Sequence, residues 1–157
     1  MKISITRSRL GNLEDIVNII SEEHWRSNAV MEVGEGTVRK WIKNKNSVVA
    51  VAGGKVVGHE ALDVWPKSRW AELRSAVVLE QFRGMGIAYK MTKMLIDDFV
   101  KRNPDAIFVA IKNKTERGNG ILLDMGFEEI GLNEVPGELF TIRSHSERKA
   151  FRLGPKV

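Results

Sequence analysis

The chain has 157 residues, 43% of them hydrophobic and 29% charged, with a net charge of +5; this is the size and balance of one globular domain with one sizeable core. It contains no cysteine, which excludes disulfides, thiolate nucleophiles and cysteine-based zinc sites together. Its apolar runs fall far short of a membrane span and "MKISITRSRL" lacks the apolar stretch of a secretory signal, so a cytoplasmic protein is expected.

In chain order, "KISITRS" alternates as a short strand does. "GNLEDIVNIISEEHW" follows as a helix, with Asn12 as its expected N-cap and Leu13, Ile16, Val17, Ile19 and Ile20 on mainly one apolar face. Residues 26–36 read as irregular, broken by Gly34 and Gly36. "TVRKWIKNK" is a short helix capped by Thr37, with Val38, Trp41 and Ile42 facing inward. "SVVAVAGGKVVGHEALDVW" is a hairpin, because Gly53-Gly54 tolerates the positive φ angles of a tight turn. Pro66 closes its second strand.

"RWAELRSAVVLE" is a long strand. Unbroken alternation would place Trp70, Glu72, Arg74, Ala76 and Val78 on one face, with Leu73, Val77 and Leu79 on the other. From Gly86 to Lys101 the apolar residues return to helical spacing. "AIFVAI", residues 106–111, reads as a buried strand. "TERGNGILLDMGF" is a short helix ending at Gly126, the favoured residue past a helix C-terminus. "FEEIG" and "ELFTIR" supply the last two strands. The expected core spans about residues 2–143, followed by a basic tail over 144–157. The order βααβββαβαββ describes an α/β fold around a mixed sheet.

The junction "VVLEQFRGMGIAYKMTKML" carries the strongest functional signal. A Gly-rich turn between a strand end and a helix start presents free backbone N–H groups and the positive end of the helix dipole. Such a turn suits a phosphate. Gly84 and Gly86 allow close approach of a ligand, and Arg83 adds charge at the rim. The Walker pattern and the dinucleotide fingerprint are both missing.

Arg83, Gly86 and Ala88 match, in frame, the Arg/Gln-x-x-Gly-x-Gly/Ala pattern of motif A in the GNAT superfamily of N-acetyltransferases, which this stretch resembles. "SAVV" is similar to that family's apolar strand end, and "LLDMGF" to its helix ending in Gly-Phe, here Gly126-Phe127. The resemblance covers about residues 2–143. It implies a mixed, mostly antiparallel sheet of about six or seven strands with about four helices, splayed at the strand carrying Val78. It also implies acetyl-CoA, with Arg83, Gly84, Met85, Gly86, Ile87, Ala88 and Tyr89 around the pyrophosphate. Ala76, Val77 and Val78 would pair with the pantetheine arm as an added strand would.

Transfer of an acetyl group to an amine needs a base for the ammonium, stabilisation of the carbonyl oxygen, and a proton for the departing CoA thiolate. No protein nucleophile is required. Glu72 is the expected base, with Glu60 and Asp63 as weaker candidates and His59 as an ordinary strand residue. The resemblance points to a backbone amide near Val78 as the oxyanion donor. The tyrosine that many members place four residues before the glycine of Gly-Phe is Leu122 here. The sole tyrosine is Tyr89, and the asparagine often found upstream aligns with Thr115, with Asn113 and Asn119 nearby.

The tail has some similarity to the N-acetylglutamate synthase branch, in Val135-Pro136, Leu139-Phe140 and Arg143. With Arg74 and Arg143 as carboxylate clamps, an amino acid or small carboxylated amine is the expected acceptor. Peptide N-termini, lysine side chains and polyamines stay open, as does a non-catalytic acyl-CoA sensor. His24, His59 and His145 show no metal-ligand spacing, so no metal is expected. The net charge leaves a nucleic-acid binder as a third reading, weakened by the shortage of aromatics for base stacking. A homodimer is conceivable by analogy with the family.

Overall fold

The computed structural model describes residues 2–27, 30, 32–65, 67–113, 119–136 and 148–154. Along the chain it forms β1 (Ile3–Arg7), α1 (Leu13–Ser27), α2 (Glu35–Lys43), β2 (Ser47–Ala52), β3 (Lys55–Val64), β4 (Trp70–Val78), α3 (Ile87–Arg102), β5 (Ile107–Asn113), α4 (Asn119–Asp124), β6 (Glu128–Ile130) and β7 (Arg148–Leu153). The strands make one seven-stranded sheet in the order β1-β2-β3-β4-β5-β7-β6. Every neighbouring pair is antiparallel except β4 and β5.

Both faces of the sheet are covered. On one, Met91, Leu95, Ile96 and Phe99 of α3 pack against Val48, Ala50, Leu62, Leu73, Phe108 and Phe151. On the other, Ile16, Ile19 and Ile20 of α1 and Val38 and Trp41 of α2 pack against Val49, Val56, Ala61 and Val77. The apolar stripes read at helical spacing in α1 and α2 are therefore the buried ones. The β2–β3 turn also forms as the sequence suggests, with Gly53 and Gly54 at φ 57 and 77.

Helix starts differ from the sequence reading. Asn12 does not cap α1. It closes a 3-10 turn over Leu10–Asn12, where its side chain accepts the Arg9 N–H at 2.8 Å, and the chain enters the helix from that turn. Helix α2 begins at Glu35 behind an extended Gly34 rather than at Thr37. The Glu35–Arg39 pair at 2.6 Å steadies this added turn. Helix α1 runs through Ser27, into the stretch expected to be irregular, because Arg26 and Ser27 both bind the buried Glu23 carboxylate.

The largest correction concerns the C-terminal region. The expected strand "ELFTIR" lies outside the described residues. The supposed basic tail contains β7, which is inserted between β5 and β6, with Ala150 and Phe151 buried in the core. The core thus extends to Leu153. Two of the charges that made this stretch resemble a tail are paired across the sheet: Arg152 with Glu128 at 2.6 Å and Lys149 with Glu129 at 3.6 Å. That pairing weakens the nucleic-acid reading of the basic residues.

Candidate active site

Strands β4 and β5 pair only through Trp70↔Ile107, Ala71↔Phe108 and Glu72↔Val109. β4 then continues to Val78 and β5 to Asn113 with no register partners between them. The sheet is forked from Glu72 onward, as expected for the strand carrying Val78. The cause lies within β4. Ser75 has a φ of 54, and Ser75 and Ala76 together face Glu60 alone on β3. An inserted residue of this kind bends the strand and raises its twist.

The bulge also overturns the expected alternation. Ala71 and Leu73 pack on the α3 side, and so does Val78, whereas Val77 packs on the α1–α2 side. Glu72 and Arg74 therefore do not share a face with Val78. The extra residue shifts the side-chain parity by one.

At the mouth of the fork, a 3-10 turn over Glu80–Phe82 leads into Gly84 and Gly86, at φ 79 and 78. Both glycines sit where L side chains are strained. A Cβ on either would meet nothing within 4 Å, so the space above them is open. Gly86 is the residue before α3. No side chain caps the helix and no acidic residue occupies its first turn. The first amides of α3 thus have no side-chain cap and start beside this open space, a setting that suits a pyrophosphate. Met85 and Tyr89 are exposed beside it, and Ile87 is buried under it.

Arg83 is exposed but tethered at both ends of its guanidinium. Its Nε–H donates to the Val78 carbonyl at 3.0 Å, and its Nη2 reaches Glu23 at 3.2 Å. This arginine braces the end of β4 against α1 instead of standing as a free charge at the rim. Burial alone would raise the Glu23 carboxyl, but hydrogen bonds from Arg26 and Ser27 and the charge of Arg83 hold it below the usual carboxylate range. Glu23 was missed from sequence. Its signal was there: it follows Ile16, Ile19 and Ile20 at helical spacing, on the buried stripe of α1.

Glu72 stands at the root of the fork, 4% exposed. Its Oε1 is buried with no hydrogen-bond partner among the described residues, and Arg74 is 3.9 Å away. Burial pushes its carboxyl up to about 7; Arg74 opposes the shift and Asp63 adds to it. A carboxylate so poised takes up a proton near neutral pH. Arg74 is fixed by Asp63 at 2.9 Å, and the other Asp63 oxygen accepts the Trp41 indole N–H. Asp63 is thus occupied on both oxygens. Trp41 was read from sequence only as a core residue.

The remaining candidates have other duties. Glu60 is buried on the α3 side, where it accepts the Thr92 hydroxyl. His59 is fully buried, stacked on Trp41 with ring centroids 5.7 Å apart, and burial pushes it down to about 4. It is a neutral ring and no base. Leu122 is packed in the core under α3, so the position of the usual tyrosine holds no proton donor. Asn119 opens α4 and Asn113 ends β5. Arg143 and Thr115 lie outside the described residues. Among the described residues, no group of three His, Asp or Glu could hold a metal ion, and no helix is long and apolar enough to cross a membrane.

A sheet forked between two parallel strands, with an uncapped helix start at the mouth, is an α/β architecture whose open strand edge and free amides suit a phosphate-bearing ligand. The Acetyltransferase (GNAT) family profile matches residues 14–127. The chain belongs to that family of acetyltransferases. No curated protein sequence matches it.

Solved structures agree on the fold. N-acetylglutamate synthase from Neisseria gonorrhoeae, complexed with coenzyme A and N-acetyl-glutamate, superposes with a TM-score of 0.81 at 13% identity over 100% of this chain and 36% of that one. This chain therefore spans about a third of that synthase. A GNAT-family acetyltransferase from Staphylococcus aureus Mu50 gives 0.79 at 15% identity, covering 99% and 100% of the two chains. YncA from Salmonella typhimurium, solved with its cofactor acetyl-CoA, gives 0.76 at 14% identity, covering 100% and 96%.

Proposed function

We propose that the chain transfers the acetyl group of acetyl-CoA to a primary amine by direct attack in a ternary complex. The observation that carries this reading is the position of Glu72, a buried carboxyl with an oxygen that accepts no hydrogen bond among the described residues, at the point where the β4–β5 fork opens. The first amides of α3, with Gly84, Met85, Gly86, Ala88 and Tyr89, would hold the pyrophosphate, and Ile87 would anchor the helix beneath it. The free edge of β4 at Ala76, Val77 and Val78 would take the pantetheine arm. Bound there, acetyl-CoA supplies the acyl group and the thiolate leaving group.

Glu72 removes the ammonium proton of the acceptor. A backbone amide of β4 donates to the acyl oxygen as negative charge grows on it. With Leu122 in the tyrosine position, solvent protonates the thiolate; a thiol of pKa roughly 8.5 permits this near neutral pH. Arg83 contributes by bracing the end of β4.

The acceptor we favour is an amino acid or small carboxylated amine. The support is Arg74, held in place by Asp63 and 3.9 Å from Glu72. There a guanidinium can hold a carboxylate while the amine meets the base. Arg143 is the second proposed clamp. The bound N-acetyl-glutamate in the Neisseria synthase is in keeping with such an acceptor. A cytoplasmic location belongs to the same reading. A non-catalytic acyl-CoA sensor is the alternative, favoured by the buried Leu122.

A panel of amino acids, diamines, polyamines and short peptides, assayed for free CoA, tests the proposal. Release with carboxylated amines well above release with polyamines is expected. Thermal stabilisation by acetyl-CoA without release on any amine would establish the sensor instead.

A further inference from the structure

The bulge in β4 is held by a side chain outside the acetyltransfer scheme described so far. His59 Nδ1 lies 3.0 Å from the Ser75 carbonyl oxygen. A carbonyl only accepts, so Nδ1 carries the proton and donates. The ring is buried and neutral, so Nε2 accepts, and the Ser47 hydroxyl donates to it at 3.0 Å. Ser47 in turn accepts from the Ser8 hydroxyl at 2.6 Å. Two serines and a stacked indole thus fix both the tautomer and the plane of the imidazole.

The peptide so held is unusual. Ser75 is a non-glycine residue at φ 54. Neither Ser75 nor Ala76 has a register partner on β3 or β5, so the group between them lies outside the regular pairing of the strand. The Ser75 carbonyl and the Ala76 N–H belong to one planar trans peptide, and they point in opposite directions. A carbonyl turned toward His59 therefore turns the Ala76 N–H away from His59. Beyond Glu72 the side of β4 away from β3 is the open fork.

We propose that His59 is a positioning residue: by holding the Ser75 carbonyl, it aims the Ala76 N–H at the thioester oxygen of the bound acyl donor. The assignment rests on the acetyltransferase reading for its chemistry but specifies which amide acts and what aims it. Replacing a buried histidine that served stability alone would leave the response of the Ala76 amide to the acyl group unchanged.

The test compares 15N–1H spectra of the full chain with acetyl-CoA and with CoA, which lacks the acyl oxygen. In the wild type, the Ala76 amide proton is expected further downfield with acetyl-CoA than with CoA. His59→Asn, which keeps a donor at the Nδ1 position, should retain that difference. His59→Leu should lose it while the amides of Met85 and Gly86 still respond to both ligands. Ser47→Ala, a milder change that frees the tautomer, should shrink it, and this holds the test open if the leucine variant does not fold.

On the best amine, His59→Leu should lower kcat about 100-fold with KM for acetyl-CoA within about threefold, the signature of a lost oxyanion donor; asparagine should restore most of it. A wild-type Ala76 amide blind to the acetyl group, or one unchanged in the leucine or Ser47→Ala variants, overturns the proposal. A wild type that kept the acetyl-specific shift but turned over no amine would count against the acetyltransferase reading and for this assignment.

Discussion

Glu72→Gln is expected to lower kcat by about 10²- to 10⁴-fold, the range for loss of a general base, with acetyl-CoA binding unchanged. Glutamine keeps the shape and cannot take a proton. The wild-type rate should rise with pH and level off above about 7, where the carboxylate form prevails; steady-state rates from pH 5.5 to 9 read this directly. An unchanged rate in the variant would remove Glu72 from the chemistry.

The same substitution carries an opposite effect on stability. The Glu72 carboxyl titrates at about 7 in the folded chain against a reference of 4.5. Between those values the unfolded chain has released its proton and the folded chain has kept it. Stability from this group therefore falls as pH rises through that window and stays reduced above it, by up to about 3 kcal/mol. Glu72→Gln should unfold at higher temperature than wild type at pH 8, and the difference should vanish near pH 4. A base held in a dry site lowers stability in just this way.

The second large effect concerns the glycine turn. Gly86 and Gly54 have nearly the same φ, 78 and 77, and a Cβ on either meets nothing within 4 Å. Gly86→Ala and Gly54→Ala should each lose about 1 kcal/mol of stability, the strain of an L residue in the left-handed region. Only Gly86→Ala places a methyl group where the pyrophosphate approaches the first amides of α3. It should weaken acetyl-CoA binding about 10- to 100-fold by calorimetry, as expected when one or two hydrogen bonds to a charged group are lost. Gly54→Ala should bind as the wild type does. Equal affinity in the two variants would place the pyrophosphate elsewhere.

The comparison of these glycines explains what could be read from sequence. Gly84, Gly86 and Gly126 were legible because positive φ is a property of glycine itself, and all three adopt it. Gly126 receives the expected helix-ending geometry, with the Phe127 N–H on the Leu122 carbonyl at 3.0 Å. Ser75 adopts the same region with nothing in its chemistry to announce it, so the β4 bulge and the resulting change of face were hidden.

Strand β7 was missed for a different reason. Arg148, Lys149 and Arg152 masked the buried Ala150 and Phe151, and Glu129 and Glu128, the partners of Lys149 and Arg152, lie some twenty residues away on a strand that only the folded sheet brings alongside. Glu72 was visible as a candidate by its place on a long strand. Its burial and the oxygen left without a hydrogen bond, which make it reactive, depend on where β4 and β5 part.

Binding of acetyl-CoA in the β4–β5 fork, with its pyrophosphate on the start of α3, is tested most directly by hydrogen–deuterium exchange with and without acetyl-CoA, which needs no acceptor. Slowed exchange is expected at residues 76–78 and 84–90, with residues 99–106, at the opposite end of α3, unchanged. Unaltered exchange in the glycine turn, or protection confined to residues 99–106, would contradict it.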